Sequence, residues 1–384
     1  MKILHVITSL QQGGAEEMLY KTLEFHKNSG GDTANSMVLC LGSNGVVGEK
    51  IEVIGFRVIY LDLKRIKNLF SHFFVAMRQV RKYKPDVMHC WMYHANIYSL
   101  FLKIFTGSAK IIWGIRQSIY DLKREKLLTR AIIKLSALTS NKPNCIVYNS
   151  HLAKNQHERL GFSGKASTVI SNGFFPDLFK PSKQIYSQLR SKYNLGESVK
   201  LVGIFARYHP MKNHTFFLKI AHLIKESFTG SVKFIMAGTN IDANNKELAK
   251  TIQTHALENH VFFLGRVDSK KYMPALDVLL STSSWGEAFS NSIAEAMLCG
   301  VPCVATDVGD SARVVGENDL IFEIDDEVGM SNKVLDILSM SSEEYNKLSL
   351  NAREHIKNNF SMKKCFNQYQ AICQSEIGNS KCVE

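Results

Sequence analysis

Apolar residues in this chain follow two rhythms that alternate from end to end. Short, mostly apolar runs at Ile3–Ile7, Met37–Leu41, Val58–Leu61, Val87–Cys90, Lys110–Gly114, Cys145–Tyr148 and Ser167–Ile170 predict strands. Between them apolar positions recur at helical spacing, over Glu16–His26, Leu69–Tyr83, His94–Phe105, Asp121–Leu138 and Ser150–Arg159. The rhythm restarts at Val199–Ala206 and runs through Val232–Ala237, Val261–Leu264, Val278–Leu280 and Cys303–Ala305, before closing helices at Ser342–Asn359 and Phe360–Glu376. Strand-helix alternation of this kind predicts an open parallel sheet covered by helices on both faces. Two series joined near Asn172–Pro181 make this an α/β chain of two Rossmann-like, doubly wound domains facing across a cleft, with ligands at the carboxyl ends of both sheets.

The densest chemistry lies in Trp285–Gly309. The loop Trp285–Phe289 follows the apolar run Asp277–Ser281, and Ser290 or Asn291 can cap a helix whose interior is Ile293–Leu298. Gly300 ends that helix and Pro302 forbids its resumption. Glu287 precedes the helix and Glu295 lies on its second turn, with the amides of a helix N-terminus between them. An anion flanked by two acceptor-only side chains fits a phosphate ester carrying hydroxylated rings, the constitution of a nucleotide-sugar. Either Glu taken alone also fits a solvated acid. Glu295, however, sits among Ile293, Ala294, Ala296, Met297 and Leu298, where a buried carboxylate needs a partner.

Three other strand ends carry candidate groups. Gly13 and Gly14, in Thr8–Glu16, let a backbone approach a ligand at a strand-to-helix turn, or simply make a tight turn. The dinucleotide spacing Gly-x-Gly-x-x-Gly is missing. His89–Asn96 ends a second strand and offers His94, which can donate, accept or exchange a proton near neutral pH, or be a structural imidazole held by a carbonyl. Val202–His214 ends a third with Arg207 and Lys212, placed to hold a diphosphate opposite the Glu287 loop, or solvated.

The string Trp285–Gly309 closely resembles the C-terminal signature of retaining glycosyltransferases of family 4, Glu-x7-Glu followed by Ala-Met-x-x-Gly-x-Pro-Val-x-x-Thr. Cys303 stands where that pattern usually has Val. Gly13-Gly-Ala-Glu16 resembles the family's first loop, His94-Ala-Asn96 its acceptor side, and Phe263–Val267 the loop that touches the base. Arg207 and Lys212-Asn213 resemble its donor loop, with Ala206 replacing a Gly. The resemblance implies a GT-B fold divided as 1–181, 182–359 and a 360–384 helix returning to brace the first domain. It implies retaining transfer of a hexose-type sugar from a nucleotide-sugar, UDP-linked in expectation, to a glycan or polyprenyl-diphosphate-linked acceptor in polysaccharide biosynthesis. Arg207, Lys212, Glu287 and His94 would be catalytic. Gly13, Gly14, Gly265, Arg266, Val267, Phe289, Ser290, Asn291 and Glu295 would surround the donor, with no metal. After Lys110–Gly114 the family commonly has a His, where this chain has Ile115-Arg-Gln-Ser118. Arg116 cannot act as a base but can pair with a phosphate or carboxylate, which puts it with His94 on the acceptor side. A nucleotide-sugar epimerase of similar fold and a non-catalytic, membrane-bound nucleotide-sugar scaffold are the alternatives.

Composition adds a location. With 384 residues, 45% hydrophobic and 21% charged, the chain can build two ordinary cores. No apolar run reaches the ~18 residues of a bilayer span. Met1–Thr8 is too short for a signal-peptide core, which predicts a cytoplasmic protein. Cys299 and Cys303 flank a turn with no His or Cys cluster near, so zinc is not expected. A net charge of +12 asks for an acidic partner, and no nucleic-acid motif is present. Lys64–Phe70 leads into Phe73, Phe74 and Met77, then Arg78, Arg81, Lys82 and Lys84. Asp121–Leu138 sets Lys123, Arg124, Lys126, Arg130 and Lys134 among Leu122, Leu127, Leu128, Ile132, Ile133 and Leu135. Such helices suit docking on an anionic membrane surface, here the inner face of the cytoplasmic membrane, or present a solvated face over a core stripe.

Overall fold

The computed structural model describes residues 1–62 and 69–375, without the side chains of residues 69–72 and 124. The basic run Lys64–Asn68 and the end of the last helix at Glu376 lie outside the described residues. The chain forms two units, one of Met1–Gly173 with the segment from Met362 onward, the other of Phe174–Ser361.

In the first unit β1 (Ile3–Ile7), α1 (Gly14–Asn28), β2 (Ser36–Cys40), α2 (Val46–Val53), β3 (Arg57–Tyr60), α3 (Leu69–Tyr83) and β4 (Val87–Trp91) follow one another. Then come α4 (Tyr93–Thr106), β5 (Lys110–Ile115), α5 (Leu127–Thr139), β6 (Cys145–Tyr148), α6 (His151–Arg159) and β7 (Ser167–Val169). All strands are parallel, in the order β3-β2-β1-β4-β5-β6-β7. The chain builds outward from β1 to β3, then returns to pair β4 with the other side of β1. That reversal is a topological switch point, where the loops leaving β1 and β4 diverge and open a crevice.

The second unit repeats the plan. It holds α7 (Lys183–Lys192), β8 (Lys200–Phe205), α8 (His214–Ser227), β9 (Val232–Ala237), α9 (Lys246–Thr254), β10 (Val261–Gly265), β11 (Val278–Ser281), α10 (Asn291–Leu298), β12 (Cys303–Thr306), α11 (Ser311–Val315), β13 (Ile321–Phe322), α12 (Glu327–Ser339) and α13 (Ser342–Phe360). Its parallel order β10-β9-β8-β11-β12-β13 reverses between β8 and β11. Leu201, Phe217, Phe234, Leu279, Ile293 and Leu298 are fully buried in its core, each such side chain contributing about 1.5–3 kcal/mol.

The boundaries differ from those expected at 181 and 359. Phe174 and Phe179 are buried in the second core, and Phe174 N–H donates to the Phe360 carbonyl at 2.9 Å. Arg353 donates to the carbonyls of Pro176, Phe179 and Leu298, tying the connector into the second unit. The final helix, α14 (Met362–Gln374), packs on α1 in the first unit. Its end is fastened by Lys110, whose ammonium donates to the carbonyls of Ile372, 2.5 Å, and Ser375, 2.9 Å.

Two other differences have local causes. The helix expected over Asp121–Leu138 is broken: Asp121 caps a short turn, Leu122–Arg124, and Glu125 and Lys126 are extended before α5 begins. The two-residue strand β13 is too short to leave an apolar pattern.

Candidate functional site

In the second unit the loops leaving β8 and β11 are stitched together at the switch point. Asn213, at φ +48°, caps α8 by accepting from Phe216 N–H, and its amide donates to Ser284 Oγ at 2.8 Å. The Thr282 hydroxyl donates to the Lys212 carbonyl at 3.0 Å, and Ser284 N–H donates to the Met211 carbonyl at 2.8 Å. This fixes the Lys212 backbone, and its ammonium forms an ion pair with Glu287. Glu287 is only 9% exposed and also accepts from Ser283 Oγ at 3.2 Å. A buried carboxylate is tolerable when paired in this way. Gly309, at φ +71°, permits the arrangement, because a Cβ there would overlap the Glu287 carbonyl.

α10 starts at Asn291, as the sequence suggests, but the Ser290 side chain makes no capping bond to it. Its first-turn amides have no acceptor within the helix. A small pocket brings Lys212, Thr282 and Ser283 together with Ser292 of that first turn. Glu295 is half-buried and accepts from Ser269 Oγ at 3.0 Å. Ser269 follows the loop Gly265-Arg266-Val267, in which Gly265 adopts φ +63° and Arg266 is exposed. The Gly265–Val267 loop and Glu295 are thereby neighbours. Arg207 is exposed, and its guanidinium makes no hydrogen bond or ion pair with the described residues. It lies close to His209, whose pKa is lowered by burial and then by the charges of Arg207 and Lys212.

One residue expected around the donor is placed elsewhere. The Phe289 ring is in the core, stacked on Phe174 at 5.9 Å and edge-on to Phe360 at 5.4 Å, so only its backbone belongs to the loop. Ser290 is buried beside it and Asn291 half-buried.

In the first unit, the loops at the switch point are those carrying the Gly pair and His94. Gly13 precedes α1 in extended backbone, and a Cβ at Gly14 would meet nothing within 4 Å. His94 stands in the first turn of α4, half-buried, with its pKa lowered by burial and no hydrogen bond to a described residue. Its neighbour Tyr93 is anchored. The Tyr93 hydroxyl meets His157 Nε2 at 2.7 Å, and His157 Nδ1 meets the Ala153 carbonyl at 2.6 Å. A carbonyl can only accept, so Nδ1 carries the proton and Nε2 accepts from Tyr93.

Arg116 is not free for an acceptor. It donates to Tyr369 Oη of α14 at 2.8 Å and to Asn172 Oδ1, and its guanidinium lies 5.3 Å from the centre of the Trp91 ring. The Arg that replaces the family's His braces the returning helix. Sequence reasoning also missed Ser269, Thr282, Ser283 and His157. Only the last carried a signal, a His four residues after a small Ala in a predicted helix.

Among the described residues no three His, Cys, Asp or Glu side chains gather as a metal-binding group. The Glycosyltransferase Family 4 model matches residues 13–178, and the Glycosyl transferases group 1 model matches residues 199–340. The chain belongs to the family 4 glycosyltransferases and has their GT-B fold. N-acetyl-alpha-D-glucosaminyl L-malate synthase of Bacillus anthracis is 26% identical over 60% of this chain and 60% of its own length. The capsular polysaccharide biosynthesis glycosyltransferase CapH of Staphylococcus aureus is 21% identical over 70% and 71%. HepE of Anabaena, solved with UDP, superposes with a TM-score of 0.80 at 22% identity, covering 96% of this chain and 98% of that one.

Proposed function

We propose that the protein moves a hexose-type sugar, with retention, from a UDP-linked donor to a glycan or polyprenyl-diphosphate-linked acceptor in surface-polysaccharide biosynthesis. The observation that carries this reading is the Lys212–Glu287 pair set beside the first turn of α10 at the β8/β11 switch point. The donor diphosphate would lie on the α10 amides with Lys212 and Arg207 neutralising it. Charge on a departing diphosphate grows in the transition state, so fixed cations stabilise that state most. These cations take the place of a metal. Glu295, held by Ser269, is set to accept from ribose hydroxyls beside the base loop Gly265–Val267. Glu287 is tied down by Lys212 and Ser283, which suits it to hold the sugar and makes it a poor nucleophile. Reaction on one face of the sugar, without a covalent enzyme intermediate, fits that constraint.

UDP is favoured as the carrier because HepE was solved with UDP and with UDP-glucose. Capsule and lipopolysaccharide-core transferases among the relatives favour the pathway class. The test is UDP release from a panel of UDP-sugars, with and without lipid-linked acceptor, and NMR of the new linkage. Acceptor-dependent release with an axial product supports the reading. Release of an epimerised nucleotide-sugar, or binding without turnover, sinks it in favour of an epimerase or a scaffold.

A further inference from the structure

α5 is turned the wrong way for a helix facing water. At about 100° per residue, Leu127, Leu128, Ala131, Leu135 and Leu138 form one stripe, with Ile133 and Ser136 opposite. The structure buries Ile133 and Ser136 and leaves the leucine stripe outside, with Leu127 78% and Leu138 81% exposed. α4 packs beside α5 and presents Phe101 and Ile104, the latter 77% exposed; α3 packs beside α4 and presents Phe74. Single exposed apolar residues need no explanation, but a patch shared by three adjacent helices does.

The charge carried by those three helices has one sign. The three helices contain Arg78, Arg81, Lys82, Lys103, Arg130 and Lys134 and no Asp or Glu. Lys123 and Lys126 stand exposed just ahead of α5, in a segment that also holds Asp121, which caps its turn, and Glu125, which accepts from Gln117. We propose that the α3–α4–α5 face docks on an anionic bilayer, its leucines with Phe101 and Ile104 sinking to the acyl boundary and its cations resting at the phosphates. A second copy of the chain fits poorly, because like charges would face one another across the contact. No described helix is long and apolar enough to cross a membrane, so the contact is interfacial.

The leucine stripe also changes the salt response expected from charge alone. Salt screens the cations but leaves the inserted side chains bound. α4 begins near His94 and reaches Ile104 about 15 Å further on, at 1.5 Å per residue. The docking face and the acceptor-side loop therefore share one rigid element.

The experiment is co-sedimentation of the full chain with phosphatidylcholine vesicles, with and without phosphatidylglycerol, at low and high salt. The wild type is expected on anionic vesicles, reduced but still bound at high salt. Ile104→Ser with Leu127→Ser and Leu138→Ser is expected to lower partitioning on the order of 100-fold without lowering the melting temperature, since all three side chains are exposed. Lys126→Glu with Lys134→Glu is expected to remove only the salt-sensitive part. Three results overturn the proposal: wild type that ignores anionic vesicles, a serine variant that binds as the wild type does, or a lipid-free dimer that the serine variant abolishes.

Discussion

Lys212 and Glu287 meet from loops 75 residues apart, and in the absence of donor each is the other's counter-ion. A diphosphate arriving at Lys212 therefore competes with a carboxylate already there. Glu287→Gln keeps the shape and the Ser283 contact but removes the competitor. UDP affinity, measured by calorimetry, is expected to hold or rise a few-fold, while turnover with a UDP-sugar falls about 100-fold through loss of the charge-assisted hold on the sugar. Weaker UDP binding in the variant would mean that Glu287 positions Lys212 rather than the sugar.

Gly309 tests the same loop from behind. Ala is disfavoured by about 1–2 kcal/mol at a left-handed backbone, and here its Cβ also strikes the Glu287 carbonyl. Gly30 has φ +82° with nothing nearby, so it serves as the control. Both Ala variants are expected to melt earlier, and only Gly309→Ala is expected to lose most of its turnover. Equal activity in the two would separate Gly309 from the site.

Much of this organisation is legible in the sequence, for a definite reason. Strands buried on both faces leave near-continuous apolar runs, so Ile3–Ile7 and Val232–Ala237, each broken by one polar residue, are found where they are read. Loops at strand ends keep their polar residues, which is why Lys212 and Glu287 stand out, while Glu295 stands out as a carboxylate in an otherwise apolar helix. Side-chain direction is less legible. Phe289 looks like a loop aromatic until Phe174 and Phe360 arrive from elsewhere in the chain to enclose it. The leucines of α5 look like a core stripe because apolar periodicity does not say which face meets the sheet. Arg116 meets Tyr369, 253 residues away, a pairing that no local pattern encodes.

Arg116 is accordingly expected to behave as a brace. Arg116→His restores the residue relatives commonly carry but cannot reach Tyr369 and Asn172 together. A charged hydrogen bond is worth about 1.5–3 kcal/mol, so Arg116→His is expected to lower the melting temperature and free α14 to exchange amide hydrogens faster. A gain in turnover without loss of stability would instead return position 116 to the reaction centre.

Acid should loosen the first unit before the second. Burial lowers the pKa of His5 to about 3, of His157 to about 4, and of His89 well below its usual value, all in the first unit; in the second, burial brings His214 to about 4. Each is neutral when folded and takes up a proton readily only when unfolded. Their contribution is intact above pH about 6.5 and is lost as pH falls toward the folded values, each costing up to ~1.4 kcal/mol per pH unit. Protonated His157 also ceases to accept from Tyr93. Amide exchange followed from pH 7 to 4 is expected to rise first around α4 and α6. Equal loss in both units would count against the assignment.

Arg207 and Lys212 separate catalysis from stability most sharply. Both cations are assigned to the leaving diphosphate, so Arg207→Ala and Lys212→Ala should each lower turnover by ~100-fold or more, with smaller effects on KM. Their folded surroundings are opposite. Arg207 is exposed and without an ion pair among the described residues, so its loss should leave the melting temperature alone. Lys212 is largely covered, and its removal leaves Glu287 with only the Ser283 hydroxyl, a loss of about 1–3 kcal/mol in stability. On that assignment the cations do what a divalent ion would otherwise do, so activity of the unaltered enzyme should persist in excess chelator. If chelator abolishes turnover and magnesium or manganese restores it, the diphosphate is shielded by a metal and both residues lose their assigned role. If Lys212→Ala costs stability but not turnover, the Lys212–Glu287 pair is a structural clasp and the leaving group is held by Arg207 and the α10 amides alone.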